Sequence, residues 1–246
     1  MALIHGGKQK QCKEISKVIL AITKDYEIES YCEPFAGMIS VFGIIYNHYE
    51  DNIKYKFGDL NPSTIFMWKK AQKCWYPPTK CSKSTYEYYR TARPSAEKGY
   101  FCHTYAFMGQ FCEKYACDYG KPEDSSKGSQ RVHDLGKKAK NASFSHGSYK
   151  QFSKLKNSII YCDPPYENSS QRYLTEHSFD SKEFWCWVRI MAENNLLFVS
   201  SYDAPKDFKC IWSKTHKLTG QQKNNKNKKR VEKLFVYNKE FFIRVG

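Results

Sequence analysis

Asp163-Pro164-Pro165-Tyr166 closes the apolar run Asn157-Ser158-Ile159-Ile160-Tyr161-Cys162 and sets an acid, two bare carbonyls and a flat ring side by side. The run has strand composition. Proline then removes backbone donors and forces an extended exit, so the strand ends at Asp163 and presents that side chain at its carboxyl edge. A planar group carrying an exocyclic amine fits such a rim. Its hydrogens would meet the Asp163 carboxylate and the Pro164 carbonyl while Tyr166 stacks on its ring. The same four residues also make a rigid turn, so the neighbouring motifs must weigh the reading.

Two further stretches carry chemistry. Tyr31-Cys32-Glu33-Pro34-Phe35-Ala36-Gly37-Met38-Ile39-Ser40 reads as a short strand, a glycine turn and a helix starting near Ser40, a suitable N-cap. A turn of this kind aims backbone amides at an anion or a cofactor. The second strand, from Ile53 to Gly58, alternates in period two and delivers Asp59, placed to accept hydrogen bonds from ribose hydroxyls. Capping of the helix that starts at Pro62 is the alternative role for Asp59, with Asn61 as a rival cap. Upstream, Gly6-Gly7-Lys8 offers a close backbone approach and a cation ahead of an amphipathic helix bearing Ile15, Val18, Ile19 and Ile22.

In this order, Gly-Gly-Lys, the Phe-x-Gly turn, an acid after the second strand and Asp-Pro-Pro-Tyr, the chain resembles the Dam-type DNA adenine methyltransferases. The Tyr- and Lys-rich style is most similar to members from large DNA viruses, with bacterial or phage origin as alternatives. The resemblance implies an α/β, Rossmann-like S-adenosylmethionine-dependent fold: a catalytic domain over 1–75 and 150–246 and an inserted target-recognition region over 76–149. It implies S-adenosyl-L-methionine held by Gly7, Lys8, Glu33, Pro34, Phe35, Ala36, Gly37, Asp59 and Asp163. Catalysis falls to Asp163, Pro164, Pro165 and Tyr166, acting on the amine of a flipped adenine. One departure stands out, since Ile39 occupies the place of the family's second glycine and narrows the expected backbone approach to the donor. The same architecture also serves cytosine amines, RNA and protein glutamines, and a degenerate member would clamp DNA without turnover.

Forty Lys and Arg against twenty-five Asp and Glu give a formal charge of +15, which favours a polyanionic partner. Double-stranded DNA is the partner implied, with a restriction endonuclease acting on the same site left open. Lys8, Arg90, Arg93, Arg131, Lys137, Lys138, Lys228, Lys229 and Arg230 are its candidate contacts, each also an ordinary solvated charge taken alone. Between Ala71 and about Gln151 the pattern turns irregular. The segment Gln221–Arg230 reads as a basic loop between strands, followed by strands at Val231–Tyr237 and Phe241–Ile243. A capping box at Asp180–Glu183 opens a helix bearing Phe184, Val188 and Met191, and a buried strand follows at Asn195–Tyr202. The start of the chain lacks a signal-peptide pattern, and no membrane-length apolar run occurs. The ten cysteines are therefore expected reduced, inside the cell. Cys102, His103, Cys112 and Cys117 cluster without a C-x-x-C pair, so no metal site is expected.

Overall fold

The computed structural model describes residues 9–107, 110–116, 123–165, 179–217 and 229–237. Helix α1 (Gln9–Thr23) leads to β1 (Ser30–Glu33), α2 (Phe42–Tyr49), β2 (Lys54–Asp59) and α3 (Pro62–Ala71). Next come β3 (Lys80–Cys81), α4 (Lys83–Thr91), α5 (Ala96–Thr104), β4 (Glu123–Asp124), α6 (Ser126–Lys138) and β5 (Ser143–His146). The chain closes with β6 (Ser158–Cys162), α7 (Ser181–Met191), β7 (Leu196–Ser201), β8 (Phe208–Lys217) and β9 (Lys229–Tyr237).

Seven strands form one sheet in the order β5-β2-β1-β6-β7-β9-β8. The first five run parallel, and β9 is antiparallel to both β7 and β8. This is the expected Rossmann-like α/β architecture. After β1 the chain steps outward through β2 to β5, then returns to the other side of β1 for β6 and β7. The strand order thus reverses between β1 and β6, and the crevice at their carboxyl ends is where an open α/β sheet binds ligands.

The sheet is buried on both faces. Ile15 and Ile19 of α1, Phe42 and Ile45 of α2 and Trp68 of α3 are fully buried on one side with Tyr31 and Phe57. Phe184, Val188 and Met191 of α7 pack against Cys32, Ile160 and Val199 on the other. The Asp180 side chain caps α7 by accepting from Glu183 N at 3.0 Å, and Asn61 caps α3 by accepting from Ser63 N at 3.0 Å.

Among the described residues, the stretch expected to be irregular holds three α-helices. Two of them, α5 and α6, are hidden in the sequence because they approach α3 so closely that side chains are excluded. A Cβ at Gly99 would lie 2.2 Å from the Ser63 carbonyl oxygen, and one at Gly136 would lie 2.5 Å from that of Ala71. Glycine lowers helix propensity, so the tertiary contact and not the local preference makes these segments helical. Within the stretch 76–149, β5 is hydrogen-bonded to β2 as the sheet's edge.

Three other expectations are corrected. Cys102 and Cys112 are disulfide-bonded, not reduced, because the chain after α5 folds back through the Ala106–Tyr115 bridge and lays Cys112 on Cys102. Lys229 and Arg230 are not in a loop: their backbones continue β9, opposite Lys217 and His216 of β8. Helix α2 starts at Phe42 behind Val41, with no side-chain cap, and Ser40 instead receives Arg131 Nη2 at 2.8 Å. The strand proposed at Phe241–Ile243 lies outside the described residues.

Candidate active site

Glu33 ends β1 and is 3% exposed. Its Oε1 accepts from Tyr31 Oη at 2.7 Å and from Phe42 N at 3.0 Å, tying the strand to the start of α2. Burial pushes its carboxyl up to about 8, the bonds from Tyr31 and Phe42 pull it back, and the Asp163 charge adds to the rise. Pro34 and Ala36 are buried, and Ala36 N donates to Gly58 O at 2.8 Å. Phe35 packs its ring 5.6 Å from both Tyr149 and Phe184. Glu33 and Phe35 therefore hold the turn from inside.

The turn is tightened by Ile39 N donating to Ala36 O at 2.8 Å. Gly37 takes φ 45° and Ile39 takes φ 39°, so the backbone at position 39 is the left-handed one that glycine adopts freely and a β-branched residue resists. What compensates is packing. Ile39 is 1% exposed and belongs to the main core with Phe42 and Trp68.

Gly37 is fixed from two sides: its amide donates to Asp59 Oδ2 at 3.0 Å, and its carbonyl accepts from Trp68 Nε1 at 2.8 Å. Its third side is open. A Cβ there would meet nothing within 4 Å, whereas one at Gly58 would strike the Phe152 ring at 2.5 Å. Asp59 Oδ1 also accepts from Asn61 N at 2.8 Å. Burial raises the Asp59 carboxyl, against the bonds from Asn61 and Gly37 and the nearby His146. An open glycine backed by a carboxylate suits a cofactor with a ribose and a backbone-hugging tail, as S-adenosylmethionine has.

Asp163 leaves β6 half-buried, followed by a buried Pro164 and a half-buried Pro165. Since β6 pairs in parallel with β1, Asp163 and the Glu33–Gly37 turn exit at one edge of the sheet. Ser201 and Tyr202 leave β7 at that edge as well. Tyr166, Gly7, Lys8 and Lys228 lie outside the described residues.

The basic candidates divide. Arg90 is paired with Glu87 at 2.7 Å along α4, while Arg93 is exposed beyond that helix. Lys137 lies in the last turn of α6, and α6 descends to the start of β5, so Lys137 stands toward the sheet edge opposite Asp163. Lys138 Nζ donates to Asn47 Oδ1 at 2.6 Å and Gly43 O at 3.2 Å. Of Lys229 and Arg230 only the backbone is described.

Two residues of the turn's surroundings escaped the sequence reading. Trp68 sits on α3 without a local motif. His146 ends β5 and bonds through Nε2 to Leu60 O at 3.0 Å, while Gly147 N donates to Asp59 O at 3.0 Å. The strand carrying His146 has a single large apolar residue, Phe144, too little for a periodic signal. Cys102 is spent in the disulfide and His103 bonds Thr64 Oγ1 at 2.9 Å; among the described residues no three His, Cys, Asp or Glu could hold a metal.

An S-adenosylmethionine-dependent methyltransferase is the class of enzyme that this fold and turn suit. Residues 107–194 match the family model of the D12 class N6 adenine-specific DNA methyltransferases. The chain is similar to that family over this stretch, which includes Asp163-Pro164-Pro165, and the methyl donor this implies is S-adenosylmethionine. No curated protein sequence matches it. Among solved structures, an rRNA methyltransferase, AviRa from Streptomyces viridochromogenes, is similar at 9% identity and TM-score 0.44, over 98% of this chain and 88% of that one. TrmN from Thermus thermophilus is similar at 10% identity and TM-score 0.41, over 91% and 48%. A putative methylase, HI0767 from Haemophilus influenzae, stands at 11% identity and TM-score 0.38, over 93% and 99%. Likenesses at these scores carry no inference about substrate. Among the described residues no helix is long and apolar enough to cross a membrane.

Proposed function

We propose that the chain methylates the exocyclic amine of a flipped adenine in double-stranded DNA, at a defined sequence. One observation carries the reading: the Gly37 turn and Asp163 leave the neighbouring strands β1 and β6 at the sheet's switch point, with Asp59 one strand further. When bound, S-adenosylmethionine supplies an electrophilic methyl group on its sulfonium. Asp59 holds the ribose hydroxyls, and the open side of Gly37 lets the donor lie against the backbone. An adenine amine sits inside the duplex with its lone pair delocalised, so the base must first leave the stack, at about a few kcal/mol. Asp163 and the Pro164 carbonyl then draw the amine hydrogens and turn the nitrogen toward the methyl. Tyr166, by its place in the motif, stacks on the base. Catalysis rests on positioning and fixed charge, without a covalent enzyme intermediate.

The inserted region between α3 and β5 is the target-recognition element in this proposal. Incubation with labelled donor and unmethylated DNA, followed by nucleoside digestion, tests the whole reading. N6-methyladenine is the expected product; a methylated cytosine, or label appearing only on RNA or protein, would overturn it.

A further inference from the structure

A surface cleft of about 720 Å³ lies between α1, α2 and α6. Lys13, Lys127, Arg131 and Lys138 line it against a single carboxylate, Asp134, whose Oδ1 already accepts from Gln130 Nε2 at 2.8 Å. Arg131 is the anomaly in this lining. Its Nη2 donates to Ser40 Oγ at 2.8 Å, but its Nε is buried without a hydrogen-bond partner. Among the described residues no carboxylate lies within ion-pair distance of it. A guanidinium N–H withdrawn from water without an acceptor is costly, and partial burial of the side chain accordingly lowers its pKa. The planar fork suits an anion that offers two oxygens.

Position narrows the ligand. Arg131 grips Ser40, three residues past Gly37, so an anion on Arg131 would lie beside the cofactor turn. Lys13 and Lys127 are exposed on the same cleft, adding long-range attraction that a polyanion would feel more than a single carboxylate. We propose that this cleft seats a backbone phosphate of the nucleic-acid substrate, with Arg131 as its central donor and Lys13 and Lys127 flanking. The assignment rests on the nucleic-acid reading above. It gives the protein a phosphate anchor next to the cofactor turn, where α6 of the inserted region meets α1 and α2.

The test is salt-dependent binding of a non-cognate DNA duplex to the full chain and its Arg131→Met variant, with donor affinity measured in parallel by calorimetry. For Arg131→Met the slope of log affinity against log salt should fall by about one, with low-salt affinity down about tenfold. S-adenosylmethionine affinity should stay within about twofold, and the melting temperature without DNA should not fall, because an uncompensated charge has been removed. An unchanged slope overturns the cleft assignment and leaves the methyltransferase reading standing. So does a tenfold loss of donor affinity at unchanged slope, which would assign Arg131 to the donor's carboxylate. If Arg131→Met fails to fold, the Lys13→Gln/Lys127→Gln double variant carries the same expectation of a lowered slope from two exposed sites. A wild-type chain that binds no DNA at any salt would overturn both readings together.

Discussion

The Gly37 amide donates to Asp59 Oδ2 at 3.0 Å, joining the turn after β1 to the end of β2. The Gly37 turn is therefore shaped by the acid expected to bind the cofactor. Asp59→Ala should cost both recognition and turn geometry: about tenfold to a hundredfold in S-adenosylmethionine affinity, since bonds to a charged acceptor are each worth roughly 1.5–3 kcal/mol. Calorimetry reads it. A lowered melting temperature with unchanged affinity would leave Asp59 only a structural role.

Asp163 has the opposite character, standing half-buried at the rim of β6. Asp163→Ala should retain DNA binding and lose methyl transfer by about a hundredfold or more, the scale of removing one group that stabilises developing charge. Single-turnover transfer measured beside gel-shift affinity separates the two effects, and near-normal turnover would sink the assigned role.

Ile39→Gly tests whether the departure from the family's glycine pattern restricts the donor. The substitution relieves a positive φ but empties a core position that is 1% exposed. Loss of a buried Ile side chain costs about 2–5 kcal/mol, against about 1–2 kcal/mol for the left-handed backbone. Thermal melting should therefore show net destabilisation. Donor affinity should change by less than about twofold, because Ile39 packs with the core; a large gain would show that it crowds the site.

Glu33 makes stability depend on pH. Its folded pKa of about 8 lies above the ordinary carboxylate value, so the folded state holds a proton that the unfolded chain releases near pH 4.5. Stability from this group is then fully present below about pH 4.5 and declines as pH rises toward 8. Glu33→Gln should flatten the denaturant-midpoint profile across that window. An unchanged slope would contradict the raised carboxyl.

Gly136→Ala and Gly99→Ala would each drive a methyl group into α3 backbone, at 2.5 Å and 2.2 Å respectively. Overpacking of this kind costs about 1–3 kcal/mol. Chemical denaturation should show it at both positions although alanine is the better helix former, so a stabilised variant would disprove the close crossing.

The parallel strands β1, β2, β6 and β7 were legible because a strand buried on both faces needs a continuous or alternating apolar run, and the chain supplies one before Glu33, Asp59, Asp163 and Tyr202. Helices α4, α5 and α6 were not. The glycines of α5 and α6 resemble loop composition until α3 is laid against them, and the polar, Tyr-rich α4 is organised only by its packing on α5. Strand β8 was missed for a related reason: Phe208–Lys217 alternates with exposed Lys and Cys, and only pairing with β9 makes it a strand.

The sequence by itself determined the chemical vocabulary, namely a glycine turn, an acid after a second strand and an acid followed by two prolines, because strand periodicity and proline stereochemistry act over a few residues. The tertiary structure decided what those residues share. It set Glu33 and Phe35 inside the turn, turned Asp59 onto Gly37, and placed Arg131 on Ser40 with its Nε unpartnered. Those outcomes depend on strand order and helix crossings between residues twenty to ninety positions apart, and no local pattern encodes them.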